Sequence, residues 1–356
     1  MNNILASKIN EQRQEIKSDR MDMSFGEIIN MFKDGEIIIS PEYQRAFRWD
    51  KQRQTDFIES ILLGIPFPSI FVATNDDGTW ELIDGLQRIS TVLSFFGELK
   101  DSDRNNLVLE EGNIVTELKG VTVNSIPIEL KLAIKRTPCR VEIIQKESNF
   151  EMRYELFKRL NTGGEGLTRQ EIRNCIFRGF VEYEKFSKMI KYLSQIDCFK
   201  QVINISYSQE QEMLLDELVL RFFSLYLYRH EYTEKTIQDF FDKIMKRQCE
   251  TPDSEAIAKF EEKFIAIFSF INNIDPNGDM FRLARLNFST SMYDSIVIAL
   301  AETNKDIKNI SSSDFLCRVD SLKKDNDFKS HAGSASSNAT NIREKLRVAK
   351  KILLGE

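Results

Sequence analysis

The chain has 356 residues, 42% of them hydrophobic and 29% charged, and a formal net charge of −6 at pH 7. This is a globular composition of a length that suits two domains, and it excludes collagen-like, coiled-coil and wholly disordered classes. Two histidines, His230 and His331, and five scattered cysteines without a Cys-x-x-Cys pair leave little material for a His-metal nuclease finger or a zinc ribbon.

Residues 1–23 are polar and charged and read as a helical or frayed lead-in. Ser24 then presents an N-cap, with Glu27 as its capping-box partner, for a helix through Lys33 that Asp34-Gly35 ends. Residues 36–39 read as a short buried strand leading to Pro41. Asp50 caps a second helix carrying Phe57, Ile58, Ile61 and Leu62, and Gly64-Ile65-Pro66 stops it. Residues 69–74 and 79–83 are β-rich and flank Asn75-Asp76-Asp77-Gly78, a hairpin signal. Asp84-Gly85 follows at once, and then a helical pattern of Ile89, Val92, Leu93 and Phe96. Residues 140–144 form a further strand, after which the periodicity is helical, as in Leu218, Phe222 and Leu225. A polar loop over 331–338 precedes a last helix over 342–354. The sequence therefore divides into a lead-in over 1–23, a small α+β domain over 24–148 and a helical domain over 149–356. No apolar run reaches the roughly 20 residues that span a bilayer, and no signal peptide opens the chain, so a cytoplasmic protein without membrane contact is expected.

Three clusters carry chemistry. In the first, Asp84-Gly85-Leu86-Gln87-Arg88, a glycine at a strand-to-helix turn lets backbone approach a ligand, and the next helix offers unpaired amides and a positive dipole end to an anion. Arg88 adds a forked phosphate donor, while Asp84 has three openings: to position a metal-bound water, to hold Arg88, or to cap the helix. An Asp-Gly turn with an N-cap aspartate is the plain structural alternative. The second, Pro41 to Trp49, sets Gln44, Arg45 and Arg48 among Tyr43, Phe47 and Trp49, a mixture able to stack a base and clamp a phosphate. Its plain alternative is a loop whose aromatics, Trp49 above all, plug the core. The third runs from Arg159 through Asn161, Gly163, Gly164 and Gly166 to Leu167. So many glycines suit a backbone nest for an anion, though no Gly-Lys-Ser/Thr follows to make a Walker A loop. Beyond it Gln170, Arg173 and Asn174 share a helical face, either as an extension of the site or as solvated surface.

In type and order these clusters resemble the N-terminal domain of GmrSD-type modification-dependent restriction systems. The family pattern is Pro-x-Tyr/Phe-Gln-Arg-x-x-x-Trp, then Ile/Val-Asp-Gly-Gln-Gln-Arg, then Arg-x-Asn-x-Gly-x-x-Leu. Here these read Pro41 to Trp49, Ile83 to Arg88, and Arg159 to Leu167. The resemblance extends over about residues 24–179 and implies a ParB/sulfiredoxin-like mixed-sheet domain followed by helices. It implies that Asp84, Gln87 and Arg88 support hydrolysis of a nucleoside triphosphate, with Mg2+ as the ion that could accompany it and no metal held by protein residues alone. The resemblance gives the Tyr43-Gln44-Arg45 loop a part in sensing modified DNA or in the nucleotide pocket; nucleotide contacts are expected at Gly85, Tyr43, Gln44, Arg45, Arg159, Asn161, Gly163 and Gly164, and DNA contacts at Arg45 and Arg48. One departure is plain: Leu86 stands where the family has its first glutamine, and a leucine donates no hydrogen bond. With neither thiol nor imidazole at the turn, the sulfinic-acid reduction of sulfiredoxins is excluded.

Long members of that family carry a His-Asn-His nuclease domain, for which this chain lacks histidines. The resemblance then implies a nucleotide-binding, NTP-hydrolysing sensor subunit of an anti-phage defence system, open to homo-oligomerisation. It would act with a separately encoded nuclease of the HEPN type or similar. A different class stays open beside it: a non-catalytic ParB-like module that binds nucleic acid or a toxin partner.

Overall fold

The computed structural model describes residues 5–9, 17–39, 47–75, 77–99, 103–145, 155–156, 159–160, 168–177, 180, 182–283, 288–303, 307–333 and 337–355. The chain divides into two compact units, Met1–Leu167 and Thr168–Glu356.

The first unit is built on a five-stranded mixed sheet. Its strands are β1 (Ser18–Ser24), β2 (Ile37–Ile38), β3 (Ile70–Thr74), β4 (Trp80–Asp84) and β5 (Pro138–Ile144), in the order β1-β5-β3-β4-β2. The expected hairpin is β3–β4, antiparallel from Thr74↔Trp80 to Phe71↔Asp84, with a register shift at Phe71/Val72. β5 lies parallel to β3 on one side, and β2 lies parallel to β4 on the other. Helices α1 (Phe25–Asp34), α2 (Lys51–Leu63), α3 (Leu86–Phe96) and α4 (Ile128–Arg136) accompany the sheet. Both expected N-caps form: Ser24 Oγ accepts from the Glu27 amide at 3.2 Å and Asp50 Oδ1 from the Arg53 amide at 2.8 Å. Gly64 ends α2 in the left-handed conformation at φ +70°. Phe25, Phe57 and Phe67 meet with ring centroids 5.4–6.3 Å apart, and Ile70, Val72, Leu82, Ile83 and Val141 are buried along the strands.

The expected helical or frayed lead-in holds at residues 5–9, which are helical, and is overturned at 18–24. Residues 18–24 form an edge strand paired antiparallel to β5, from Ser18↔Ile144 to Ser24↔Pro138. Five of its seven residues are exposed and Met23 alone is buried, so the strand shows no alternation of apolar and polar residues to read. Charge on such an edge also discourages pairing with other chains.

The second unit is helical. Its elements are α5 (Arg169–Phe177), α6 (Tyr183–Gln195), α7 (Asp197–Ile203), α8 (Tyr207–Gln211), α9 (Leu214–Tyr228), α10 (Ile237–Glu250), α11 (Ser254–Ile274), α12 (Thr290–Glu302), α13 (Ser312–Lys324), α14 (Asn326–His331) and α15 (Ala339–Leu354). Small mixed sheet first and helices after is the expected α+β class. Phenylalanine fills the helical core: Phe199, Phe222, Phe260, Phe264 and Phe268 interlock at centroid distances of 4.5–5.8 Å.

The polar face of α5 is not solvated. Gln170, Arg173 and Asn174 are all buried, with Arg173 fully so. Arg173 Nε donates to Asp242 Oδ1 at 2.7 Å, one Nη donates to Gln170 Oε1 at 3.1 Å, and the other reaches the Gln238 carbonyl and side chain. The reading of a solvated face fails because its partners lie 65–69 residues further along the chain on α10, where helical periodicity carries no sign of them.

Candidate functional site

Asp84 ends the interior strand β4, and Gly85 turns the chain directly into α3. Gly85 sits at φ +98°, and a Cβ there would lie 2.5 Å from Ile70 Cγ2. Both the dihedral and the space demand glycine. Gly85 is also the N-cap of α3 and has no side chain with which to cap the first amides. The first intrahelical bond runs from the Ile89 amide to the Gly85 carbonyl at 2.9 Å, so the amides of Leu86, Gln87 and Arg88 precede the ladder. An uncapped positive helix end with three amides in sequence is the arrangement that accepts an anion.

Of the three openings for Asp84, the structure shows the hold on Arg88 and not the cap: Asp84 Oδ2 meets Arg88 Nη2 at 2.8 Å. Arg88 Nη1 donates to the Pro68 carbonyl, so the guanidinium ties the start of α3 to the chain entering β3. The arginine side chain is 12% exposed and the aspartate 30%, which leaves the pair at the surface end of the turn. Leu86 is buried and contributes apolar packing where the family motif has an amide.

Gln87 brings the second cluster to the first. Its Oε1 accepts from the Arg48 amide at 3.0 Å and from the Trp49 amide at 3.1 Å. Gln54 Nε2 holds the Trp49 carbonyl at 2.8 Å, and the Trp49 ring meets Phe57 edge-on at 5.8 Å. Phe47 is buried beneath Arg104, whose guanidinium carbon lies 5.2 Å from the ring centre. Residues 47–49 are thereby fastened to the 84–88 turn, and Arg48 stands beside it. Tyr43, Gln44 and Arg45 lie outside the described residues, as do Asn161, Gly163 and Gly164. Arg159 is described: its side chain is 80% exposed and pairs with Glu155 at 3.3 Å.

Beneath the turn lies Cys139, on β5. Burial pushes its thiol up to about 11, with the Arg88 charge pulling the other way. Such a thiol stays protonated at neutral pH and is not a nucleophile. No group of three or more His, Cys, Asp or Glu residues able to hold a metal occurs among the described residues.

Residues 25–178 match the family model described as the GmrSD restriction endonuclease, N-terminal domain. This segment is a GmrSD N-terminal domain. The match runs through the hairpin, the 84–88 turn and α5, and a domain of this family implies a component of a restriction-type defence system. No curated protein and no solved structure matches the chain. No described helix is long and apolar enough to cross a membrane.

Sequence reasoning missed a second set of polar residues. Arg221, inside the apolar run of α9, donates to Asp294 of α12 at 2.5 and 2.7 Å, and Lys345 of α15 reaches the same carboxylate at 2.9 Å. All three are buried. A charge in the middle of a buried helix was the available signal, since a buried charge must find a partner.

Proposed function

We propose that this chain is a nucleotide-binding, NTP-hydrolysing sensor or regulatory subunit of a restriction-type system, acting with a separately encoded nuclease. The observation that carries the reading is the uncapped N-terminus of α3 directly behind Gly85, with Gln87 fastening residues 47–49 alongside. The amides of 86–88 would take phosphate oxygens, and Gly85 lets them approach. Arg88 supplies a forked cation, and Asp84 holds it ready. Gln87 acts as a positioning residue, because its oxygen is committed to backbone amides. Mg2+ typically travels with the phosphates and takes one or two protein carboxylates, a demand that Asp84 alone can meet at this turn. The ion would neutralise phosphate charge. Modified DNA is the proposed signal, and Arg45 and Arg48 are the residues proposed to meet it.

A non-catalytic module is the second reading, and the double tether of Arg88 to Asp84 and Pro68 favours it, since that arginine already has structural employment. Titration calorimetry with a nucleotide panel on wild type and Arg88→Ala separates the two. The proposal expects submillimolar binding of at least one triphosphate, weakened tenfold or more in the variant. Absence of any triphosphate binding would leave the structural reading. A phosphate-release assay then divides an NTPase from a nucleotide-gated switch.

A further inference from the structure

The helical unit carries a cleft of about 530 Å3 with an apolar floor, formed by Ile342 and Leu346, and a basic rim. Arg343, Arg347 and Lys350 stand at i, i+4 and i+7 of α15, so one helical face presents all three over about 10 Å. Arg229, just past the end of α9, lines the cleft with them. Glu302 also lines it and pairs with Arg229. Arg347 is further held by Glu344 at 2.8 Å and Asp327 at 3.2 Å. Ala339, the first residue of α15, is on the lining too, which brings the positive end of a 16-residue helix to the same cleft.

This concentration of cations runs against the chain's net charge of −6. Glu302, Asp327 and Glu344 answer Arg229 and Arg347 in part, and a ligand carrying several negative charges would draw on all four cations at once. Tyr232 also lines the cleft but is buried, stacked on Phe240 at 4.9 Å with its hydroxyl on the Ser337 carbonyl, so it offers no open ring face to a base. His230 also lines the cleft with its side chain largely exposed, and the forked and ammonium donors beside it suit phosphates.

We infer that this cleft binds consecutive phosphate groups, presented by a nucleic-acid backbone or by a free polyphosphate. The cleft belongs to the helical unit and the 84–88 turn to the first unit, and the inference does not rest on a nucleotide binding at that turn.

The test uses the full chain, a fluorescent 20-mer DNA read by anisotropy, and tripolyphosphate read by calorimetry and as a competitor. Wild type is compared with the doubly reversed variant Arg343→Glu/Lys350→Glu and the conservative Arg343→Lys/Lys350→Arg. Circular dichroism and the thermal midpoint establish that each variant is folded. The expected result is at least a tenfold loss of binding in the reversed variant, with the conservative one within about twofold of wild type. For DNA, the slope of log affinity against log salt should also fall by about 1–2, given roughly 0.7–0.9 for each phosphate that the protein no longer neutralises. DNA binding that tripolyphosphate neither shares nor displaces identifies a nucleic-acid backbone, whereas direct tripolyphosphate binding that disappears in the reversed variant identifies a free polyphosphate. The inference is overturned if wild type binds neither probe below millimolar concentration, or if the reversed variant binds as wild type does.

Discussion

Two of the molecule's aspartate–arginine pairs are of similar length and opposite character. Asp84 and Arg88 meet at 2.8 Å at the start of α3, with side chains 30% and 12% exposed. Asp294 and Arg221 meet at 2.5 and 2.7 Å in the helical unit, at 1% and 4%, with Lys345 completing the cluster. A partly solvated pair is cheap to open, typically under about 1 kcal/mol, because water and ions take over its charges. A buried pair cannot open without stranding a charge in a low-dielectric interior. Phe241 adds to the second cluster, with Arg173 and Arg221 over its ring at 5.6 and 5.7 Å. Chemistry alone does not tell a working site from a structural pin; burial does. The first pair is open enough to exchange partners with a ligand, as the proposed function requires, and the second is buried between helices.

The largest expected effect breaks the second pair. Asp294→Ala leaves Arg221 and Lys345 buried without their carboxylate and should cost about 3–5 kcal/mol, read as a lowered urea midpoint or as failure to fold. The pH dependence carries the same signature. Desolvation pushes the Asp294 carboxyl up, but Arg221 and Lys345 pull harder and hold it below its ordinary 3.8. A depressed folded-state value gives stability that is complete above the unfolded value and lost as pH falls through the folded one. The urea midpoint should therefore lose this contribution only below about pH 4. A midpoint that already declines between pH 7 and 5 would point to other groups.

Gly85→Ala comes next and tests the turn itself. A methyl group 2.5 Å from Ile70 Cγ2, at φ +98°, should cost about 1–3 kcal/mol and weaken any triphosphate binding along with it. If the variant keeps full stability, the turn is more pliable than its geometry shows, and the contrast with the rigid buried cluster softens.

Much of this turn was legible in the sequence, and the reasons are local. Asn75 to Gly78 marks a hairpin, Asp50 and Ser24 are cap residues, and Asp84-Gly85 directly after a β-rich run marks a strand-to-helix turn, all within a few residues of the structure they specify. What stayed illegible depends on distant partners. The β1 strand is polar because it is an edge, and its pairing with β5 is visible only in three dimensions. Arg173 looks like surface until Asp242 and Gln238 close over it. Gln87 reads as a candidate catalytic amide, but its oxygen faces the backbone of residues 48 and 49, and a backbone partner leaves no trace in side-chain pattern.

That last interaction makes a smaller, sharper prediction. Gln87→Ala strands the Arg48 and Trp49 amides in a partly buried setting and should cost about 1–2 kcal/mol, while Gln87→Glu keeps an acceptor and restores most of it. Were triphosphate binding to fall in both variants alike, the Gln87 amide would be touching the ligand and not merely positioning the segment. If binding returns with the acceptor, Gln87 works through residues 47–49.

The smallest effect on stability belongs to Arg159, at the far extreme of the comparison. Its side chain is 80% exposed and its pair with Glu155 spans one helical turn at 3.3 Å. Arg159→Ala should leave the thermal midpoint unchanged, within about 0.5 kcal/mol, as exposed substitutions away from caps and cores do. Stability is then silent, and any change in nucleotide affinity reports function alone. A tenfold weakening of triphosphate binding at constant midpoint would place the third motif in the nucleotide site with the 84–88 turn. Unchanged affinity would confine the site to the first two motifs, which Gln87 already holds together.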